Sequence, residues 1–283
     1  MVTPVIEVNN LAKWFTDENH RRSRVLHDVN FNVFPGETLV IMGGSGCGKS
    51  TLLNCMIGEL HPDRGSIKIF EKDITTMDEF SLNDIRKKFG ILFQSGALFN
   101  SMTVGENIAL PLQEHSEIDP SIINIVVTIK LEQVRMLAHR NKIPSQLSGG
   151  QKKRAGLARA IALDPKILFY DEPSAGLDPV TVAAIDELII SLSKKLGVTS
   201  IVVTHDMPSA FRIADRMVML HKGKVLKVGE KREFEVLRDT PAEELTDPND
   251  QLIHQFLLGL GHGPLTDSEG ISEYEKIMTD GFI

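Results

Sequence analysis

The chain has 283 residues, 42% hydrophobic and 24% charged, a composition that suits one large globular unit or a main domain with a modest appendage. A formal net charge of −7, from 31 Lys+Arg against 38 Asp+Glu, sets up no field that would hold nucleic acid non-specifically. Two cysteines, Cys47 and Cys55, are too few for a disulfide scaffold and have no His/Cys cluster at zinc-ligand spacing around them, which fits a reducing cytosol.

The opening segment MVTPVIEVNN lacks the basic start, apolar run and cleavage site of a secretory signal. Apolar stretches such as Ile122–Ile129 fall far short of the roughly 20 residues that cross a bilayer, so any membrane role is expected to rest on a partner. Apolar residues tend to alternate over Val5–Val8 and Asn30–Val33, and a Pro35–Gly36 turn leads into a strand expected over Glu37–Met42. After Gly43 the pattern changes to that of a helix over Lys49–Glu59.

Between that strand and that helix lies Gly43-Gly-Ser-Gly-Cys-Gly-Lys-Ser-Thr51, which fits the phosphate-binding loop pattern. Glycines at 43, 44, 46 and 48 let the backbone curl so that the N–H groups of the loop, including those of Ser45 and Cys47, converge on phosphate oxygens, and the helix adds its positive N-terminal end. Lys49 is expected to reach the β- and γ-phosphates of ATP, Ser50 to offer its hydroxyl to Mg²⁺, and Thr51 to close the motif. A glycine-rich turn with a chance Lys-Ser is the plain alternative, and the strand–loop–helix context weighs against it. Cys47 contributes its backbone N–H there, with its thiol a small filler; Cys55 is expected in the core.

Residues 100–145 read as mostly helical and irregular. Leu147-Ser-Gly-Gly-Gln151 follows, ahead of a helix expected over Lys152–Leu163, and its hydroxyl and glycines make a second anion site at a helix start. One nucleotide cannot easily use both helix starts within one small domain, so Ser148, Gly149, Gly150 and Gln151 are expected to serve the ATP of a second copy of the chain. Next, Ile167-Leu-Phe-Tyr-Asp-Glu172 is an apolar strand ending in two carboxylates. Asp171 is the metal-side candidate, and Glu172 the candidate general base for the attacking water. Taken alone, Asp-Glu after a strand is usually a solvated turn; paired with the phosphate loop it gains weight. Another strand is expected to end at Thr204. Strands alternating with helices imply a parallel sheet.

The order of these motifs resembles the nucleotide-binding domain of ABC transporters, over about residues 5–230. The resemblance implies an α/β fold: a phosphate-loop NTPase core with a parallel sheet, an N-terminal antiparallel β subdomain, and a helical subdomain carrying the signature at about residues 95–160. It further implies that Gln94 contacts the metal or its water and senses a membrane subunit, and that His205 touches the γ-phosphate. Ser174-Ala-Gly-Leu-Asp178 matches the loop that crosses the dimer interface, so Asp178 joins the nucleotide-binding set. Phe15 aligns best as the ring that stacks on adenine, with Trp14 next.

Phe93-Gln-Ser-Gly-Ala-Leu-Phe99, Met102-Thr-Val-Gly-Glu-Asn107 and Ala109-Leu-Pro-Leu112 resemble the ATPases of the Mla and MCE-associated systems, which move phospholipids between bacterial membranes. That resemblance implies an ATP-sandwich homodimer on the cytoplasmic face of the inner membrane, with an integral permease, an MCE-domain lipid-binding subunit and a small regulatory subunit as expected partners. Gln255–Pro264 looks like the family's C-terminal extension, which clasps the neighbouring ATPase. The expected domains are thus 1–240 for the ATPase and 241–283 for a dimer-contacting tail. Gln151-Lys-Lys-Arg154 and the segment 174–178 depart toward the generic ABC pattern, and residues 267–283 have no assignment. Between Glu233 and Gln251 seven acidic residues face one basic, which reads as a solvated connector or weak helices. The rival classes are a non-transport ABC ATPase, which usually carries paired domains or a long coiled-coil insertion, and a small-molecule kinase, which LSGGQ argues against. Among transporters the nearest rivals are an amino-acid importer and a lipoprotein-releasing ATPase.

Overall fold

The computed structural model describes residues 2–16, 18 and 20–267. The part of the expected tail beyond 267 lies outside the described residues. The chain divides into two compact units between Val228 and Gly229.

The first unit opens with β1 (Ile6–Thr16) and β2 (Arg22–Val33), an antiparallel pair in which Ile6 faces Val33 and Phe15 faces Ser23. After β3 (Thr38–Met42) and α1 (Lys49–Met56), β4 (Arg64–Ile69) returns antiparallel to β1, and β5 (Lys72–Asp73) completes the sheet order β2-β1-β4-β5. Alternation drives this sheet: Ile6, Val8, Val29, Phe31, Ile67 and Ile69 are all buried.

The second sheet has the order β10-β9-β3-β8-β7-β6. Its strands are β6 (Phe89–Leu92), β7 (Ile167–Asp171), β8 (Thr199–Val203), β9 (Arg216–His221) and β10 (Lys224–Glu230), with β3 in the middle. The β9-β3, β3-β8, β8-β7 and β7-β6 pairs are all parallel. Every residue of β3 and β8 is buried, as expected where helices cover both faces of a parallel sheet. The connecting helices are α2 (Glu79–Arg86), α3 (Val104–His115), α4 (Pro120–Gln133), α5 (Gly149–Ala160), α6 (Pro179–Leu196) and α7 (Met207–Ile213). Three of them, α3 to α5, fall within 104–160. They start on sequence signals: Thr103 caps α3 reciprocally with Glu106, and Asp178 caps α6 ahead of Pro179.

In the second unit, the acidic stretch read as a connector or weak helices holds α8 (Lys231–Asp239) and α9 (Pro248–Leu258), followed by α10 (Pro264–Asp267). Asp247 accepts from Asn249 N at 2.7 Å to start α9, and Gly259 ends it in the left-handed region at φ +64°. Gln255 is buried and ties down the turn that follows: its Oε1 accepts from Leu265 N at 2.7 Å and its Nε2 donates to Leu260 O at 3.1 Å. No helix among the described residues is long and apolar enough to cross a membrane.

Candidate active site

The parallel register brings four strand ends to one edge of the sheet. Ile41 of β3 and Asp171 of β7 both stand beside Val203 of β8, and Leu92 of β6 stands beside Tyr170. The loop 43–48, His205, Asp171-Glu172 and Gln94 therefore leave the sheet side by side, although 162 residues separate the first from the last in sequence (205 − 43). The carboxyl edge of such a sheet is where ligands bind in open α/β folds.

The loop after β3 is held by glycine geometry. Gly43, at φ +153°, passes so close to β9 that a Cβ would lie 2.1 Å from Leu220 O, and Gly48 enters α1 at φ +105°. Ser45 and Gly46 are exposed at the tip, and Cys47 is buried with its thiol pushed up by burial. Lys49 is buried and donates to Gly43 O at 2.7 Å and Gly44 O at 3.0 Å, so its ammonium lies inside the loop. An ammonium has three donors, and one remains for an anion beyond those carbonyls. Ser50 and Thr51 begin α1, with Ser50 exposed.

At the end of β7 the Asp171 carboxyl is raised above the usual carboxylate range, first by burial and next by the charge of Glu172; Lys153 and Lys49 pull the other way. Glu172 has φ +46°, in the left-handed region that non-glycine residues rarely occupy. Its N–H donates to Val203 O at 2.9 Å, and its own carbonyl accepts from Ala175 N at 3.2 Å and Lys153 Nζ at 2.9 Å. Its Oε2 is buried and lies 2.9 Å from His205 Nδ1, but the direction is not that of a hydrogen bond, so Oε2 has no hydrogen-bond partner among the described residues. His205 is exposed.

Gln94 is exposed two residues beyond β6, in a turn closed by Gly96 N donating to Phe93 O at 2.8 Å. Ser148 caps α5: Ser148 Oγ accepts from Gln151 N at 3.3 Å and Gln151 Oε1 accepts from Ser148 N at 3.0 Å. That reciprocal cap leaves the first-turn N–H groups of Gly149 and Gly150 as the free donors of the helix end. Asp178 is exposed and accepts from Val180 N and Thr181 N at 3.1 and 3.0 Å. Phe15 is 42% exposed near the end of β1, with Lys13 Nζ 5.7 Å from its ring centre. The neighbouring Trp14 ring faces the guanidinium groups of Arg22, Arg24 and Arg64 at 5.0, 4.8 and 5.6 Å.

Three residues at this edge have no motif to announce them. Lys153, buried in α5, reaches the Glu172 carbonyl. Arg159 donates to Ala97 O at 2.7 Å, and Asn107, fully buried, accepts from Phe99 N at 2.8 Å while donating to the carbonyls of Phe99, Met102 and Thr103. The stretch after Gln94 is thus fastened to α3 and α5. Only the placing of Lys153 beside buried Ala155, Gly156 and Leu157 hints in sequence that it points inward.

The donors at the edge fit a magnesium–nucleotide pair. The hydroxyl of Ser50, the carboxylate of Asp171 and the amide oxygen of Gln94 are all hard oxygen groups, and Glu172 stands next to Asp171 with its buried Oε2 against His205. Among the described residues no cluster of three or more His, Cys, Asp or Glu side chains could hold a metal alone. Magnesium is usually held by one or two protein groups with phosphates and waters, so this sparse set suits it.

The ABC transporter family profile matches residues 26–175. The intermembrane phospholipid transport system ATP-binding protein MlaF of Haemophilus influenzae is 38% identical over 273 residues, covering 96% of this chain and 97% of that one. The probable ribonucleotide transport ATP-binding protein mkl of Mycobacterium tuberculosis is 40% identical over 264 residues, covering 93% of this chain and 69% of that one. A dimeric structure of the ATP-binding cassette MJ0796 in a post-hydrolysis state, bound to ADP and Pi, superposes with a TM-score of 0.74 at 32% identity, over 80% of this chain and 99% of that one.

Proposed function

The chain belongs to the ABC transporter family as an ATP-binding and ATP-hydrolysing subunit, and from that premise we propose that it powers phospholipid transport between bacterial membranes through a separate integral permease. The carrying observation is the near end-to-end match to MlaF, 96% of this chain against 97% of that one. In this reading the chain sits on the cytoplasmic face of the inner membrane as one half of a homodimer, with an MCE-domain protein and a small regulatory subunit as further partners. The tail that begins at residue 241, of which the structure describes residues up to 267, would contact the second copy.

Two chains sandwich two ATP molecules, each bound by loop 43–51 of one and by Ser148–Gln151 and Asp178 of the other; the dimeric form of the MJ0796 cassette supports this. Phe15 stacks on adenine. Lys49 exchanges neutral loop carbonyls for charged phosphate oxygens, a stronger acceptor. Ser50, Asp171 and Gln94 would hold Mg²⁺, which would supply positive charge against the phosphate oxygens. Glu172 orients the attacking water and takes its proton through Oε2, and His205 steadies the γ-phosphate. Beside Gln94 an open cleft of about 720 Å³, lined by Phe80, Phe89, Ile91, Phe93 and Pro111 with Arg86 and Arg159, has the apolar floor and charged rim that a short amphipathic helix of a permease needs.

A second reading, transport of ribonucleotides, takes its support from the printed name of the 40% identical mycobacterial relative, of which the chain covers 69%. ATP turnover by wild type and Glu172→Gln, with purification of the membrane partners, tests both. Turnover is expected to fall by about 10²–10⁴-fold in the variant, with a permease and an MCE-domain protein co-purifying and bound phospholipid in the extract. A solute permease carrying nucleotides instead refutes the lipid reading, and normal turnover by Glu172→Gln refutes the catalytic one.

A further inference from the structure

We infer that Lys153 is a positioning residue for hydrolysis, a buried cation that ties the signature helix to the backbone of the catalytic glutamate. The inference rests on Glu172 acting as the general base, as proposed above. Lys153 sits on α5 one helical turn beyond Gly149 and is 4% exposed, where a lysine is costly unless something nearby repays it. Its Nζ donates to Glu172 O at 2.9 Å, and its charge acts on both Asp171 and Glu172.

The object it grips is strained. Glu172 leaves β7 at φ +46°, a conformation that is costly for a non-glycine residue and lasts only when its surroundings over-determine it. Three bonds do so: Glu172 N–H to Val203 O, Ala175 N–H to Glu172 O, and Lys153 Nζ to Glu172 O. The first is sheet ladder and the second is local turn. Only the third comes from another helix, and that helix begins with Ser148, Gly149 and Gly150. In a nucleotide sandwich those residues meet the ATP of the second copy, while Glu172 serves the ATP of its own chain. Lys153 therefore joins the two sites through one rigid helix: any tilt of α5 on meeting the second copy's nucleotide moves the Glu172 carbonyl, and with it the orphaned Oε2 beside His205. The link from the signature helix to the Glu172 carbonyl inside one chain supplies a route by which closure at one site sets the base at the other.

The test measures kcat and the KM for ATP of the full-length chain purified with its membrane subunits, for wild type, Lys153→Met, Lys153→Arg, Lys153→Gln and Glu172→Gln. Lys153→Met keeps the stem and removes the donor; kcat is expected to fall about 10- to 100-fold, the cost of a misplaced base, while KM stays within about threefold because no nucleotide contact is lost. Lys153→Arg, which keeps a cationic donor, is expected to recover most of kcat. If Lys153→Met does not fold, Lys153→Gln decides the matter: a neutral donor on a shorter stem lowers kcat at constant KM. The inference is overturned if kcat of both Lys153→Met and Lys153→Gln stays within about twofold of wild type while Glu172→Gln is inactive. It is also overturned if KM rises as steeply as kcat/KM falls, the mark of a role in folding the nucleotide loop alone. Normal turnover by Glu172→Gln removes the premise instead, and is read from that variant without reference to Lys153.

Discussion

Gly43→Ala and Gly46→Ala lie three residues apart in one loop and separate two reasons for glycine. At Gly43 both act: φ is +153°, and a Cβ would sit 2.1 Å from Leu220 O and 2.7 Å from Cys47 Sγ. An ordinary C···O contact is about 3.3 Å, so either the loop or β9 must move by more than 1 Å, and a strand carbonyl has no rotamer to escape into. Overpacking of that kind costs about 1–3 kcal/mol and a glycine-only backbone another 1–3 kcal/mol or so, giving about 2–6 kcal/mol in all. At Gly46 φ is +72° and nothing lies within 4 Å of the added atom, which leaves only the left-handed penalty of about 1–2 kcal/mol. Against a total stability of about 5–15 kcal/mol, Gly43→Ala should be the visibly weaker protein. Urea unfolding followed by the fluorescence of Trp14, the sole tryptophan, reads the difference directly, provided the slope m is unchanged. Equal midpoints for the two variants, or a wild-type midpoint for Gly43→Ala, would show that the close approach of the loop to Leu220 is not what demands glycine there.

Two further outcomes are expected. Asn107→Ala strips four hydrogen bonds from the segment 99–103 and should lower stability by about 1–3 kcal/mol for the buried groups left unpaired, with Asn107→Asp no better, because an oxygen would then face three carbonyls; urea midpoints and hydrogen exchange at Phe99 check both. Asp63 has its carboxyl held below the usual range, first by the N–H of Trp14 and then by Lys13 and Arg22. The stabilisation this represents is fully present above the unfolded value of about 3.9 and is lost as pH falls through the lowered folded value. Asp63→Asn should therefore lower Tm at pH 7, by a margin that closes as the pH drops below about 4; a margin constant down to the lowest pH at which the protein folds would exclude the charge as its source.

What the sequence discloses here follows from what chemistry leaves local. The loop 43–51, the carboxylate pair and the signature are contiguous, because each must bring several groups to one ligand, and each could be read with its flanking strand or helix. Elements whose definition is non-local were missed or cut short. Period-two alternation stops at Val8, yet β1 runs on to Thr16, because its register against β2 shifts between Val8 and Leu11 and twice more before Trp14. β4 is fixed by pairing to β1, with Ile69 opposite Ile6, and β5 only by pairing to β4 in turn, and nothing in their own composition proclaims it. Acidic composition left α8 and α9 legible only as a connector or weak helices, although Asp247-Pro248 at the start and Gly259 at the end of α9 are ordinary helix signals. Lys153 was invisible for a sharper reason. Its partner lies 19 residues away and is a backbone carbonyl, which every residue has, so no pattern of side chains records the bond.

The order in which the chain fills its sheet explains how so few residues gather at the edge proposed to be catalytic. After β3 the chain goes to the far position with β6, works inward through β7 and sets β8 between β7 and β3, before β9 and β10 extend the other side. His205 is thereby inserted into the gap between the phosphate loop and the carboxylates. The charges along that edge are arranged for exchange. Lys49 and Lys153 are both buried, and both give their hydrogen bonds to neutral carbonyls while Asp171 and Glu172 stand nearby. Two cations and two carboxylates balance before any ligand arrives, and burial already presses Asp171 toward its neutral form. In the proposed reading a phosphate chain accompanied by a divalent cation would relieve that pressure from both sides at once, giving Lys49 an anion and Asp171 a metal. Either alone would leave a buried charge uncompensated, so the edge should favour the nucleotide and its cation together over either one.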